Sequence, residues 1–250
     1  YFVPPSVILK WVNYLQELKR KGDLPSDLWI TSSDDFAAWG GASDNYHTED
    51  LNRLIAAVDF VSMHTYPFHN SHYSPDYWYS RDPSLSKIEQ IDASMQRAGD
   101  FAAGQYIDVK QYILSLGIDK PIHIGETGWA TASNGFYGAE GSQAADEYKS
   151  KKYYDFLRKW SNENGVSCFY FEAFDEPWKD AENPMGSENH FGLFTVDGKA
   201  KYALWSSVDK GIFSGLTRNG NKIEKTINGN EDKLLVSVLP PIGPKKNINE

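Results

Sequence analysis

The chain of 250 residues carries 25 Lys and Arg against 34 Asp and Glu, a formal net charge of −9, and 40% of its residues are hydrophobic. This balance is typical of a folded globular protein and excludes a disordered chain. The negative charge disfavours nucleic acid as a partner, and no apolar run approaches the ~18 residues that a membrane span needs. The length permits one or two domains.

Helical and strand patterns alternate along the chain. Apolar residues recur at helical spacing over 4–21, 48–58, 84–116 (with Ser84 as the N-cap) and 142–162. Short buried strands are predicted at 28–32, 59–64, 121–126 and 166–171, and a long loop at 65–83. Four such helix–strand repeats indicate a parallel α/β fold.

Four strands do not close a β/α barrel, which needs eight, and a half barrel would leave two unpaired edges. The chain also opens on a helix, and Tyr1 follows neither an initiator Met nor a recognisable signal peptide. We therefore expect residues 1–210 to be the carboxyl-terminal half of a larger domain. Residues 211–250 carry Asn-Gly turn signals and are expected to form a β-rich tail or a linker.

Carboxylates follow two of the predicted strands. Glu126 ends one strand between two glycines, with Trp129 three residues on, and 172–179 holds three carboxylates, a Trp and a Lys. In parallel α/β proteins the chemistry gathers at the carboxyl ends of the strands. Carboxylate pairs there suit the cleavage of a glycosidic bond, and the aromatics nearby suit either sugar stacking or loop anchoring. An ion-paired strand end is the bland alternative for Glu126 alone.

Several motifs together resemble glycoside hydrolase family 17, the family of β-1,3-glucanases (laminarinases) and β-1,3-glucan transferases. The resemblance covers residues 1 to about 205 in order, and its most specific motifs are 125–129, 171–179, 190–194 and 197–199. It implies a retaining glycoside hydrolase with an α/β fold, a (β/α)8 TIM barrel, of which this sequence would supply roughly strands 5–8. The amino-terminal half of the same barrel is then an expected partner, and neither a cofactor nor a metal is implied.

The resemblance also implies roles for individual residues. Glu126 matches the nucleophile, Glu176 and Lys179 match auxiliary acid and base groups, and Tyr66 matches a tyrosine near the nucleophile. The family's general acid/base is a Glu in an Asn-Glu pair at the end of strand four, and no such pair precedes Pro4 in this sequence. The pair Asn162-Glu163 does not match it, because it lies near the end of a predicted helix.

Substrate-binding residues are expected from their type and location in the sequence. Asp34, His64 and Tyr66 are expected to line the cleft and to bind the substrate. Aromatic residues are candidate sugar platforms, with two weaker members named last: Phe68, Trp39, Trp129, Trp178, Tyr77 and Trp78.

We expect a secreted, periplasmic or cell-surface enzyme that hydrolyses β-1,3-glucan oligosaccharides or polysaccharides. Two alternatives stay open at this point: a β-1,3-glucosyltransferase with the same covalent intermediate, and a non-catalytic β-glucan-binding protein. A metal cluster of His64, His69, His72 and Asp76 is disfavoured, because their spacing fits no zinc pattern.

Overall fold

A computed structural model describes residues 3–79, 82 and 84–243. The chain divides into two compact units. The first takes the described residues up to 65 together with 102–127 and 161–169. The second takes the described residues of 66–101, 128–160 and 170–243.

A four-stranded sheet holds the strands in the order β1-β2-β3-β4. The strands are β1 (Ser33–Asp35), β2 (Val61–His64), β3 (Ile122–Thr127) and β4 (Cys168–Tyr170). β1 pairs with β2, and β2 with β3, in parallel. The parallel α/β fold predicted from the sequence is therefore confirmed, while its completion to a barrel stays a prediction.

The first strand lies later in the chain than the sequence predicts. The ladder starts at Ser33, whereas 28–32 is held by individual bonds, among them one from Asp59 N to the Ile30 carbonyl at 2.7 Å. Ile30 N donates to the Asp59 carboxylate at 2.7 Å, and Thr31 Oγ1 donates to the carbonyl of Phe60. These bonds satisfy the backbone around Ile30 without a ladder, and the strand predicted at 28–32 was wrong in position for that reason.

The helices of the described residues are α1 (Pro5–Lys21), α2 (Glu49–Ala57), α3 (Pro67–Tyr73), α4 (Lys87–Ser115), α5 (Glu147–Asn164), α6 (Trp205–Asp209) and α7 (Glu231–Ser237). Thr48 caps α2 by accepting from Leu51 N at 3.2 Å. Helix α4 is capped by Ser86, not by Ser84 as predicted, because Ser86 and Glu89 exchange bonds between side chain and backbone. Helix α3 occupies part of the predicted loop, since Pro67 is compatible with a first helical turn.

Helices cover one face of the sheet in the first unit. The buried side chains there come from α1, α2, α4 and the alternate positions of β2 and β3: Leu9, Val12, Leu51, Leu54, Ile55, Val61, Met63, Val109, Ile113 and Ile122. Burial of this apolar surface stabilises the unit by about 25 cal/mol per Å² removed from water.

Aromatic rings form the core of the second unit. Trp129 is fully buried, and its ring centroid lies 5.2, 5.5 and 5.6 Å from those of Tyr153, Phe68 and Trp78. Its indole N–H donates to the carbonyl of Ala144 at 2.9 Å, so the polar atom is satisfied inside the core.

Residues 211–243 contain a short hairpin and a helix. The hairpin joins β5 (Thr217–Arg218) to β6 (Asn221–Lys222). Helix α7 follows where the sequence analysis expects β structure or a linker. Asn230 caps it by accepting from Lys233 N at 2.8 Å, and two acidic residues, Glu231 and Asp232, occupy its first turn.

No helix of the described residues combines the length and the apolar character needed to cross a membrane.

Candidate active site

Glu126 lies near the carboxyl end of β3 and beside His64, the last residue of β2. The carboxylate Oε2 is 3.4 Å from His64 Nδ1, and 41% of the Glu126 side chain is exposed against 22% of His64. Thr65 N donates to the Glu126 carbonyl at 3.1 Å, which continues the pairing of the two chain segments past the end of β2. The arrangement holds a partly exposed carboxylate next to the imidazole of His64.

A register shift in β3 turns Glu126 toward His64. Met63 pairs with Ile124, but His64 pairs with Glu126, so Gly125 is an extra residue in the ladder. Ile124 is fully buried, and in an unbroken strand Glu126 would share its face because side chains alternate. The bulge moves the carboxylate to the opposite face, and bulges commonly re-aim side chains in this way.

The glycine before Glu126 is required by packing. A Cβ at Gly125 would overlap the hydroxyl of Ser62, which lies 2.5 Å from that of Ser33. A Cβ at Gly128 would overlap the carbonyl of Phe171. At both positions the missing side chain makes room for neighbouring protein atoms.

Two acidic residues end β1. Asp34 Oδ1 accepts from Asp35 N at 2.8 Å, and Asp35 Oδ1 accepts from Ala37 N at 2.9 Å. Asp35 therefore caps the turn that follows the strand. Asp34 is partly buried, and its role in substrate binding stays a prediction.

The second unit holds a separate cluster of Glu172, Glu176 and Lys179. Lys179 Nζ is 2.9 Å from Glu176 Oε2 and 3.2 Å from Glu172 Oε2. The ammonium also lies over the ring of Phe171, with Nζ 3.8 Å from the ring centroid. The lysine thus bridges two carboxylates and rests on an aromatic face, which attracts a cation.

The three charges shift one another's titration. Burial first, and then the nearby Glu176, raises the pKa of Glu172 to about 7. The hydrogen bond from Lys179 lowers the pKa of Glu176. Burial opposes the charged form of Lys179, but the bonds to Glu176 and Glu172 outweigh it and raise the pKa of the lysine. Glu172 is therefore the carboxyl group of this cluster that exchanges its proton near neutral pH.

Backbone pairing and a buried ion pair fix the segment that carries this cluster. Glu172 N donates to Phe191 O at 3.2 Å, and the Glu172 carbonyl accepts from Leu193 N at 2.8 Å. Asp175, between the two glutamates in sequence, accepts from the buried Lys201 Nζ at 2.6 Å. The orientation of the cluster is thus set by groups outside it.

Three of the predicted sugar platforms are core residues. Trp39 is 2% exposed, and Phe68 and Trp129 are fully buried. The indole N–H of Trp39 donates to Ser62 O at 2.9 Å. Their ring faces are covered by protein, so the prediction that they stack on a sugar was wrong; Trp78, a weaker candidate, is also fully buried.

Two other predicted aromatics keep accessible surface. Trp178 is 64% exposed. Tyr66 is half-buried, and its ring lies edge-on to Phe171 and Phe191 at centroid distances of 6.4 and 5.9 Å. Both remain available to meet a ligand.

Glu172 has no assigned role in the sequence analysis. It is the first polar side chain after β4, one of three carboxylates in 172–176, and the sequence offers no means of choosing among the three. Its burial, with an Oε1 atom that lacks a hydrogen-bond partner in the described structure, and its contact with Lys179 distinguish it here.

Comparison with solved structures and curated proteins gives a consistent result. The whole chain superposes on an endo-laminarinase from Formosa Hel1_33_131, with 61% sequence identity and a TM-score of 0.94, and covers 64% of that chain. A β-1,3-glucanosyltransferase from Rhizomucor miehei shares the fold at 20% identity and a TM-score of 0.54, over 80% of this chain and 57% of that one.

Curated fungal proteins match shorter stretches. A glucan 1,3-β-glucosidase from Arthroderma benhamiae is 38% identical over 95 residues, which is 36% of this chain and 29% of that protein. A putative glucan endo-1,3-β-glucosidase from Aspergillus niger is 27% identical over 185 residues, 71% of this chain and 22% of that protein. The chain thus spans less than two thirds of the length of each of these relatives.

A parallel α/β sheet with carboxylates after its strands is the framework of many glycoside hydrolases. Residues 10–192 match the family model of the BtgE/BtgC glycoside hydrolase domain, and the chain belongs to that family. The resemblance to glycoside hydrolase family 17 is thereby confirmed.

Proposed function

We propose that this chain carries the nucleophile of a retaining glycoside hydrolase that cleaves β-1,3-glucan of the laminarin type. The observation that carries the proposal is the position of Glu126: a partly exposed carboxylate near the carboxyl end of β3, turned by a bulge to the face of His64. The similarity to an endo-laminarinase over the whole chain supports this choice of substrate.

In the proposed first step a Glu126 oxygen attacks the anomeric carbon, and the bond from that carbon to the leaving oxygen breaks. A carboxylic acid protonates the leaving oxygen, and a glycosyl ester forms on Glu126. In the second step water loses a proton to the same acid/base and attacks the anomeric carbon, which frees the carboxylate. Two inversions retain the configuration. His64, 3.4 Å away, orients the carboxylate for attack.

The acid/base residue is assigned to a part of the protein outside these 250 residues. In the same proposal the four-stranded sheet supplies strands 5–8 of a (β/α)8 barrel, with residues 1–210 in the barrel and 211–250 as an appendage. The strand order β1-β2-β3-β4 and the parallel pairing of β1, β2 and β3 support this. We place the protein outside the cytoplasm, where polymeric glucan is met.

Glu176 and Lys179 are proposed to bind sugar hydroxyls. A carboxylate accepts and an ammonium donates hydrogen bonds, and both side chains keep about a quarter of their surface exposed (28% and 27%). Asp34, Tyr66 and Trp178 are proposed as further contacts to the substrate. Trp39, Phe68 and Trp129 are excluded from this set of contacts because they are buried.

The test is Glu126→Ala in the intact protein, assayed on laminarin with and without azide. Turnover should fall at least about a thousandfold, because no covalent intermediate forms. Azide is small enough to take the place of the carboxylate, attacks the anomeric carbon in one step and should yield the α-glycosyl azide. Glu163→Gln, at an exposed helix end, is the matched control and should keep full turnover. Near-parental turnover of Glu126→Ala, or a β-glycosyl azide, contradicts the assignment.

Assays of the unmodified intact protein distinguish hydrolysis from the two alternatives, a β-1,3-glucosyltransferase and a non-catalytic glucan-binding protein. Laminari-oligosaccharides longer than those supplied would identify transfer to a sugar in place of water. Binding of laminarin without any turnover would identify a glucan-binding protein.

A further inference from the structure

Two exposed rings and a stacked histidine lie together on the second unit. Tyr73, at the end of α3, is 67% exposed, and Phe136, in the loop that leads to α5, is 55% exposed. We propose that Tyr73 and Phe136, with the cavity beside them, form a secondary binding surface for a glucose unit of a β-glucan chain. The identity of the ligand rests on the proposed function.

The rings form a defined cluster. His72 stacks on Phe136, with ring centroids 4.1 Å apart and planes 11° from parallel. Tyr73 meets Phe136 edge-on at 6.2 Å. His72 thus supports one side of the Phe136 ring, and more than half of the residue still faces solvent. Large aromatics grouped in this way on a surface mark binding sites more often than single exposed residues do.

The loop holds Phe136 outward by packing its neighbour inward. Tyr137 is buried, with its ring centroid 4.3 Å from that of Phe68. The Phe136 carbonyl accepts from Ser142 N at 2.7 Å, and a Cβ at Gly141 would overlap that carbonyl. The exposed ring is therefore presented by a folded loop, so that little conformational entropy is lost when a ligand binds.

The cavity beside the rings suits a pyranose. It has a volume of about 280 Å³, and its lining includes Phe136, His72 and Pro75 together with Glu140. Ser71 and Ser142 also line it, with their hydroxyls bonded to each other at 2.8 Å. A glucose unit has apolar C–H faces, which pack on rings, and an edge of hydroxyls, which bond to polar groups. The net charge of −9 favours a neutral ligand over an anionic one.

Ring contacts connect this surface to Tyr66. Tyr66 lies 5.4 Å from His69, His69 lies 5.5 Å from Tyr137, and Tyr137 lies 6.3 Å from His72, all between ring centroids. His69 Nδ1 is also 3.1 Å from the Tyr137 hydroxyl. A packed row of rings thus runs from a proposed substrate contact to the exposed cluster, as expected if both bind one extended polymer.

The test measures the dissociation constant for laminarin by calorimetry in the intact protein, with Glu126→Gln in every variant so that the glucan stays uncleaved. Phe136→Ala and Tyr73→Ala should each weaken binding about tenfold, since each removes a stacking face. Phe136→Tyr keeps the ring and should bind as the parent does. Tyr14→Ala removes a ring of comparable exposure (54%) from α1 and should change nothing.

The outcomes separate the two proposals. A parent that binds laminarin while Phe136→Ala and Tyr73→Ala bind equally well overturns the secondary surface and leaves the proposed function intact. A parent that binds no laminarin overturns both. If Phe136→Ala unfolds, the other two variants decide the question. If the rings bind the glucan, Tyr73→Ala should bind laminarin weakly and Phe136→Tyr should bind it as the parent does.

Discussion

Glu126 in the first unit and the cluster of Glu172, Glu176 and Lys179 in the second unit are positioned by different means. In the first unit Glu126 is placed by the backbone: a parallel ladder, one extra residue at Gly125 and close packing against Ser62. In the second unit the backbone of Glu172 is also paired, but the side chains of Glu172 and Glu176 are held together by a charge, because Lys179 Nζ lies within 3.2 Å of both. The first arrangement should respond to changes in packing, and the second to changes in protonation.

This difference matches the demands of the two proposed tasks. A nucleophile must lie within a few tenths of an ångström of its attack position, and strand pairing provides that precision. Groups that bind hydroxyls tolerate more movement, and a lysine shared by two carboxylates permits it. The comparison can be tested by changing the packing around Glu126 and the protonation of Glu172.

Gly125→Ala should give the largest effect on stability, because its Cβ overlaps the Ser62 hydroxyl. Relief requires Ser62 to abandon its contact with Ser33, at a cost of about 1–3 kcal/mol in the free energy of unfolding. Denaturant titration of the intact protein measures it. Because the same strain displaces Glu126, turnover should also fall.

The matched control is Gly104→Ala in α4. A Cβ there has no atom within 4 Å, so the change should be neutral or stabilise the helix by up to about 1 kcal/mol. Adding Ser62→Ala to Gly125→Ala should recover most of the loss, because it removes the overlapping oxygen. Equal stability of Gly125→Ala and the parent would show that packing does not hold this register.

The same contrast explains what the sequence could predict. The parallel fold and the position of Glu126 at a strand end follow from local patterns, such as the apolar run before Gly125. The bulge that turns the carboxylate depends on pairing with β2, and pairing is not local information. Neither Ile124 nor His64 reveals it alone.

The aromatic residues illustrate a second limit. The sequence around Phe68, Trp129 and Phe136 is polar and loop-like, although Phe68 lies in α3. Two of these residues are nevertheless buried and one is exposed. Tyr137 and Phe136 are adjacent and point to opposite environments. The contacts that decide this come from distant parts of the chain, and periodicity carries no signal in a loop.

Glu172→Gln should change the pH dependence of stability in the second unit. The raised pKa means that native Glu172 keeps a proton between pH 4.5, the ordinary value, and about 7, while the unfolded chain loses it. The stability of the parent therefore falls as pH rises through this window, by up to about 1–3 kcal/mol, and the loss is complete above it. Glutamine has no such proton, so the variant should be the more stable protein at pH 8.

The other two charges do not mask this slope. The lowered pKa of Glu176 acts below pH 4.5, and the raised pKa of Lys179 acts above 10.5. Unfolding of the parent and Glu172→Gln, measured from pH 5 to 8, should give two curves that diverge as pH rises. Parallel curves would mean that Glu172 titrates normally and that Lys179 neutralises it fully.

His64→Phe should have the smallest effect and tests whether the first unit relies on side chains at all. The imidazole Nδ1 lies 3.4 Å from Glu126 Oε2, and its loss should reduce kcat about five- to tenfold, which corresponds to roughly one hydrogen bond. His64→Asn keeps a nitrogen donor close to the position of Nδ1 and should recover much of kcat, a rescue that a purely structural role would not give. A thousandfold loss in His64→Phe, with the fold intact, would mean that the side chain and not the ladder positions Glu126, and the contrast between the two units would not hold.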